Sequence, residues 1–177
     1  MKKYALTIIV LTIALPALPQ FNNAWRGKKA AVVLTYDDAL NVHLDNAIPL
    51  LDSLGLKATF YITAFAQGSR DRISDWRKAA ATGHELGNHT LFHPCVGNMP
   101  GREWVTQEND MSRYSVQRMV NEIRMTNTFL QALDGKTRRT FASPCGDMKI
   151  GDSPFMDKLR NDVVAARAVR HQLHKIS

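Results

Sequence analysis

Five short runs of apolar and β-branched residues punctuate this chain, and helical periodicity fills the intervals between them. Lys28 to Tyr36 (KKAAVVLTY), Leu56 to Thr63 (LKATFYIT), His84 to Thr90, Arg139 to Ser143 and Asp162 to Ala166 read as strands, the first two as buried ones. Over His43 to Leu54, the residues Leu44, Ala47, Ile48, Leu51 and Leu54 recur at helical spacing, with Pro49 in the first turn and Gly55 closing the helix. Ser74 to Thr82 predicts a second helix, with Ser74 as its N-cap and Gly83 as its stop. Ser115 to Leu133 predicts the longest, with one apolar stripe of Val116, Met119, Val120, Ile123, Leu130 and Leu133, ended by Asp134-Gly135; Phe155 to Arg160 reads as a short one. Phe92 to Arg113, with Pro94, Gly97, Pro100 and Gly101, reads as a surface loop. Strands alternating with helices imply a parallel α/β sheet, open or closed. In such sheets the chemistry gathers at the carboxyl ends of the strands.

At those ends stand the residues with chemistry to offer. Asp37-Asp38 end the first strand, His89 and His93 follow the third, and the Pro144-Cys145-Gly146-Asp147 turn follows the fourth. On one helical turn, residues four apart share a face, so the two imidazoles would point at one ion. Two histidines need a third ligand, and Asp38 is the candidate. Two imidazoles and a carboxylate leave a position open, the pattern of catalytic rather than structural zinc. Water on such an ion has its pKa lowered toward about 7 and becomes the nucleophile. Asp37 would then be the general base, and backbone N–H groups at Cys145-Gly146 an oxyanion site. Each part alone is usually mundane: a pair of structural histidines, a capping Asp-Asp, a Pro-Cys-Gly turn. Occurring together, in order, at strand ends, they point to metal-assisted hydrolysis of an acyl group.

With 177 residues the chain suffices for one domain with a real core, read here as residues 28–177. Residues 1–20 have the layout of a secretory signal peptide: basic Met1-Lys2-Lys3, an uncharged run from Tyr4 to Leu15, then a Pro16 to Gln20 exit. That run is too short for a stable membrane span, so the expected location is secreted or periplasmic. Lys2 and Lys3 carry two of the net +7 charges, and the rest are scattered over a solvated surface. No aromatic–basic interleaving points to nucleic acid as a partner. Export permits a disulfide between Cys95 and Cys145, the two cysteines of the chain, and equally leaves open two free core thiols.

At these residues the sequence resembles the polysaccharide deacetylases with a NodB homology domain, carbohydrate esterase family 4. Thr35-Tyr36-Asp37-Asp38 matches that family's T-[FY]-D-D motif, and His89-Thr90-Leu91-Phe92-His93 matches its H-[ST]-x-x-H motif. The resemblance runs from about Lys28 to Arg170. It implies a distorted (β/α) barrel, a divalent ion such as Zn²⁺, and removal of N- or O-linked acetyl groups from an acetylated carbohydrate. By position it makes Asp37 the base and Asp38, His89 and His93 the metal ligands. In the third motif Pro144 and Gly146 match, Cys145 replaces an aromatic residue, and Ala142 replaces the arginine that steadies the base. Arg138 or Arg139 is the substitute nearest in sequence. Five strands are fewer than such a barrel has, which reads as a C-terminally truncated member. His171 and His174 are the only late histidines, and neither has a strand-end setting. Cys95 follows the second motif and Cys145 lies in the third, which predicts a disulfide between two loops of one pocket. The alternative readings are a catalytically silent carbohydrate-binding module or inactive fragment that keeps the metal pocket, and an amidase acting on a small amide.

Overall fold

The computed structural model describes residues 31–169, and its main compact unit begins at Val33. The expected signal segment and the late histidines His171 and His174 lie outside the described residues. Among the described residues seven strands occur: β1 (Thr35–Tyr36), β2 (Thr59–Ile62), β3 (Glu85–Asn88), β4 (Thr140–Ala142), β5 (Lys149–Ile150), β6 (Ser153–Pro154) and β7 (Ala165–Arg167). Five form one parallel sheet in the order β1-β2-β3-β4-β7, while β5 and β6 make a small antiparallel hairpin. Register is set by pairs such as Phe60 with Leu86, Asn88 with Phe141, and Phe141 with Ala166. The sheet curls into a half-barrel with helices, a partial (β/α) barrel as the family resemblance implies.

Parallel neighbours need crossovers, and helices supply them. α1 (Ile48–Ser53) links β1 to β2, α2 (Gln67–Asp71) and α3 (Ile73–Ala81) link β2 to β3, and α4 (Val116–Asp134) links β3 to β4. α4 is punctuated as its sequence suggests: the Ser115 hydroxyl accepts from the Arg118 N–H at 3.1 Å, and Gly135 takes φ 72° at the C-cap. One apolar cluster packs Phe60 and Leu86 against Trp76 and Leu130, and a second packs Phe141 against Met119, Ile123 and Phe155. Phe60 is fully buried, stacked on Tyr36 at 4.9 Å and tilted against Trp76 at 5.7 Å. Burial of a side chain of this size is worth about 1.5–3 kcal/mol.

Three local expectations need correction, and one helix is added to them. The first strand is neither long nor buried: only Thr35 and Tyr36 pair, and Val32 is 84% exposed. Among the described residues β1 is an edge strand. Ser74 does not cap α3, which starts at Ile73 after Arg72; Arg72 instead pairs with Asp75 at 2.8 Å and Asp45 at 2.5 Å. Residues His43–Ala47 wind as a π-helix before α1, with Pro49 tolerated near the α1 N-terminus. The short helix α2 goes unpredicted because Gly68 disfavours helix. Its glycine is required for contact: a Cβ there would lie 2.2 Å from the Ala39 carbonyl oxygen.

Candidate metal centre at the strand ends

Asp38, His89 and His93 meet beyond β1 and β3. The Asp38 Oδ1 atom lies 3.2 Å from Nε2 of His89 and 3.2 Å from Nε2 of His93. The two imidazoles are 4.9 Å apart, edge to face, and all three ligand atoms fall within 4.8 Å of one another. They converge through an irregular turn in which His93 has φ 57°, not through the helical turn that four-residue spacing suggests. His89 is 1% exposed, and its Nδ1 donates to the Ala142 carbonyl at 2.8 Å. That bond selects the tautomer whose Nε2 lone pair faces Asp38, as metal-bound histidines require.

Backbone strain concentrates here. Six described non-glycine residues have positive φ, and five of them are at this site: Asp38, Ala39, Thr90, His93 and Cys145. Each costs on the order of 1–3 kcal/mol and persists only where its surroundings over-determine it. The supports can be traced. Asn88 accepts from the Thr90 N–H at 2.8 Å, and the Thr90 hydroxyl accepts from the His93 N–H at 3.0 Å. The Asn88 amide is itself anchored by donating to the Ile123 carbonyl of α4 at 2.8 Å.

The donor set fits a cation. Asp38 Oδ1 is buried without a hydrogen-bond donor, while two imidazole nitrogens face it. The His89 and His93 imidazoles beside it hold the Asp38 carboxyl well below the usual carboxylate range, outweighing the opposite effect of burial. The group is therefore an anion at neutral pH. Two nitrogens and one oxygen, with sides left open, suit zinc or a similar divalent ion.

Asp37 stands outside the ligand trio. Its Oδ1 is ion-paired with the Arg167 guanidinium, which also lies 4.7 Å over the Tyr61 ring. Arg167 was not anticipated, although an arginine at the carboxyl end of the fifth strand is where a functional side chain is expected. The arginines nearest in sequence do not serve. Arg138 is exposed, and Arg139 is buried against Asp134 at 2.5 Å and the Leu86 carbonyl at 3.0 Å. Tyr61 needs its own space: a Cβ at Gly87 would come within 2.5 Å of its ring.

Cys95 and Cys145 form a disulfide, with Cα atoms 5.8 Å apart. It joins the turn after His93 to the turn after β4. Arg102 spans the same junction, donating to Asp147 at 2.6 Å, the Val96 carbonyl at 3.0 Å and the Cys145 carbonyl at 3.2 Å. Within the Cys145 turn, the Gly146 N–H donates to the Ser143 carbonyl and the Asp147 N–H to the Pro144 carbonyl.

Residues 25–161 match the family model described as Polysaccharide deacetylase. A protein of Bacillus subtilis (strain 168) called YlxY and described as uncharacterized is 28% identical over 109 residues, which are 62% of this chain and 29% of that protein. A chitin deacetylase of Pestalotiopsis sp is 34% identical over 67 residues, 37% of this chain and 22% of that enzyme. Among solved structures, the Streptococcus pyogenes deacetylase PplD in complex with acetate superposes with a TM-score of 0.60 at 18% identity, covering 77% of this chain and 54% of that one. The chain thus spans under a third of these curated relatives and about half of that solved chain, and the structural likeness speaks for the fold. The family model covers most of the sequence, including the strand ends where Asp37, Asp38, His89 and His93 meet, and the chain belongs to the polysaccharide deacetylase family.

Proposed function

We propose that this protein is an exported, metal-dependent hydrolase that removes N- or O-linked acetyl groups from a carbohydrate polymer or oligomer. The observation that carries the reading is the buried, donorless Asp38 oxygen facing two imidazole nitrogens, with an arginine-held carboxylate next to it in sequence. Zinc is the cation that this donor set suits best; when bound it supplies an activated water near neutral pH and polarises the acetyl carbonyl. Asp38, His89 and His93 hold and orient that centre. Asp37 takes the proton of the water whose oxygen bonds to the acyl carbon, and its ion pair with Arg167 holds the carboxylate in place. The Cys145 N–H is available to the acyl oxygen as it gains charge, a role that needs no side chain. The C–N or C–O bond to the sugar then breaks, acetate leaves, and the departing nitrogen or oxygen takes up a proton. The disulfide supports export, since such bonds persist in oxidising compartments.

The test is acetate release by the full chain, loaded with zinc, from an acetylated chito-oligosaccharide and from acetylated xylan. Wild type should release acetate from at least one. Asp37→Asn should retain zinc and lose turnover. Zinc bound stoichiometrically by wild type with no acetate from either substrate would instead assign a silent carbohydrate-binding role.

A further inference from the structure

Trp104 is 56% exposed and stands against the metal centre, its ring centroid 5.8 Å from that of His93 at an interplanar angle of 43°. Nothing in the chemistry proposed above uses it. An exposed indole is no core element, so what calls for explanation is why it is held so firmly. Its Nε1 donates to the Gly101 carbonyl at 3.2 Å, which occupies the one polar atom of the side chain. The turn beneath it is closed by the Val105 N–H to the Arg102 carbonyl at 3.0 Å. Arg102 in turn is clamped to Asp147 and to the Cys145 carbonyl, which are parts of the disulfide-tied junction. The indole therefore presents an apolar face to solvent in a preset orientation, one residue's breadth from a metal ligand.

A preset aromatic face suits a flat, weakly apolar partner and loses little entropy when that partner arrives. A pyranose ring is such a partner: its axial C–H bonds make one face apolar while its hydroxyls stay in water. We infer that Trp104 is the platform on which the sugar ring bearing, or adjoining, the scissile acetyl group stacks. This rests on the deacetylase reading and adds to it the residue that grips the carbohydrate. A ring lying on the indole keeps its acetyl substituent within reach of the Asp38, His89 and His93 trio, whereas a small acetyl compound without a sugar gains nothing from Trp104.

The experiment uses the full zinc-loaded chain carrying Asp37→Asn, so that substrate binds without being consumed. Binding of an acetylated chito-oligosaccharide and of an acetylated xylo-oligosaccharide is measured by calorimetry. Adding Trp104→Ala or Trp104→Leu should weaken binding of the preferred oligosaccharide at least tenfold, and Trp104→Phe by no more than about threefold. Unchanged zinc stoichiometry and melting temperature in each variant show that the site is intact. Equal affinity in Trp104→Ala, or binding of neither oligosaccharide by the starting protein, overturns the platform. The parent reading fails separately: oligosaccharide binding that depends on Trp104, together with no zinc-dependent acetate release by wild type, leaves the platform standing on a non-hydrolytic protein.

Discussion

The disulfide offers the most quantitative test of how the site loops are held. Cys95 and Cys145 are 50 residues apart in sequence, so the bond closes a long loop in the unfolded chain. Loop-closure entropy for a loop of this size is worth about 4 kcal/mol at 25 °C. Replacing both cysteines by alanine removes that restraint without leaving a polar atom at Cys95, which is fully buried. The remaining ties across the junction, Arg102 to Asp147 and the backbone bonds of Cys95 with Asn109 and Met111, act on the folded state alone and do not recover the entropy. With a urea dependence of about 2 kcal/mol per molar, the midpoint should fall by about 2 M in the Cys95→Ala/Cys145→Ala double variant. Wild type treated with a reductant should shift in the same direction. Urea unfolding followed by circular dichroism reads both. A midpoint within about 0.3 M of the oxidised wild type would refute the reasoning, because it would mean that the native loops were strained by the link as much as the unfolded chain was restricted.

Three further outcomes follow from the contacts. Arg167→Ala should lower turnover by about 10²-fold while zinc stays bound, since it frees Asp37 without touching the ligands; steady-state kinetics beside metal analysis checks this. Gly87→Ala should destabilise by about 1–3 kcal/mol in thermal unfolding, because its Cβ would press on the Tyr61 ring that backs Arg167. Burial pushes the Glu122 carboxyl up, against the pull of Tyr114, Arg118 and the Phe92 N–H. Between its ordinary value and this raised one the folded state binds more protons than the unfolded, so the contribution of Glu122 to stability falls as pH rises through that window. Glu122→Gln should therefore be more stable than wild type at neutral pH and lose the advantage in acid, as pH-dependent urea unfolding would show.

The parallel sheet was legible because its connections are written in two periods, 3.6 for α4 and a continuous apolar run for β2. The convergence of Asp38, His89 and His93 was legible because strand ends in such a sheet share one side, so topology brings them together whatever the local backbone does. What the sequence hid was conformation at single residues. Histidines four apart suggest a helix, yet they meet through a turn with His93 and Thr90 at positive φ, a cost paid by Asn88 and its anchor on α4. Arg167 was hidden because a base-steadying arginine was sought near Ala142 in sequence, while a parallel neighbour 25 residues later lies beside it: Ala142 pairs with Arg167 in the β4–β7 register. Trp104 was hidden for another reason. Nothing in the spacing of the Phe92 to Arg113 loop reveals that Arg102 and the disulfide pin it next to His93.

Zinc titration of the full chain tests the central claim most directly. Isothermal calorimetry should show one zinc per wild-type chain, with binding lost in His89→Ala, in His93→Ala and in Asp38→Ala, and retained in Asp37→Asn. Undiminished one-to-one binding by a chain lacking both His89 and His93 would contradict the account.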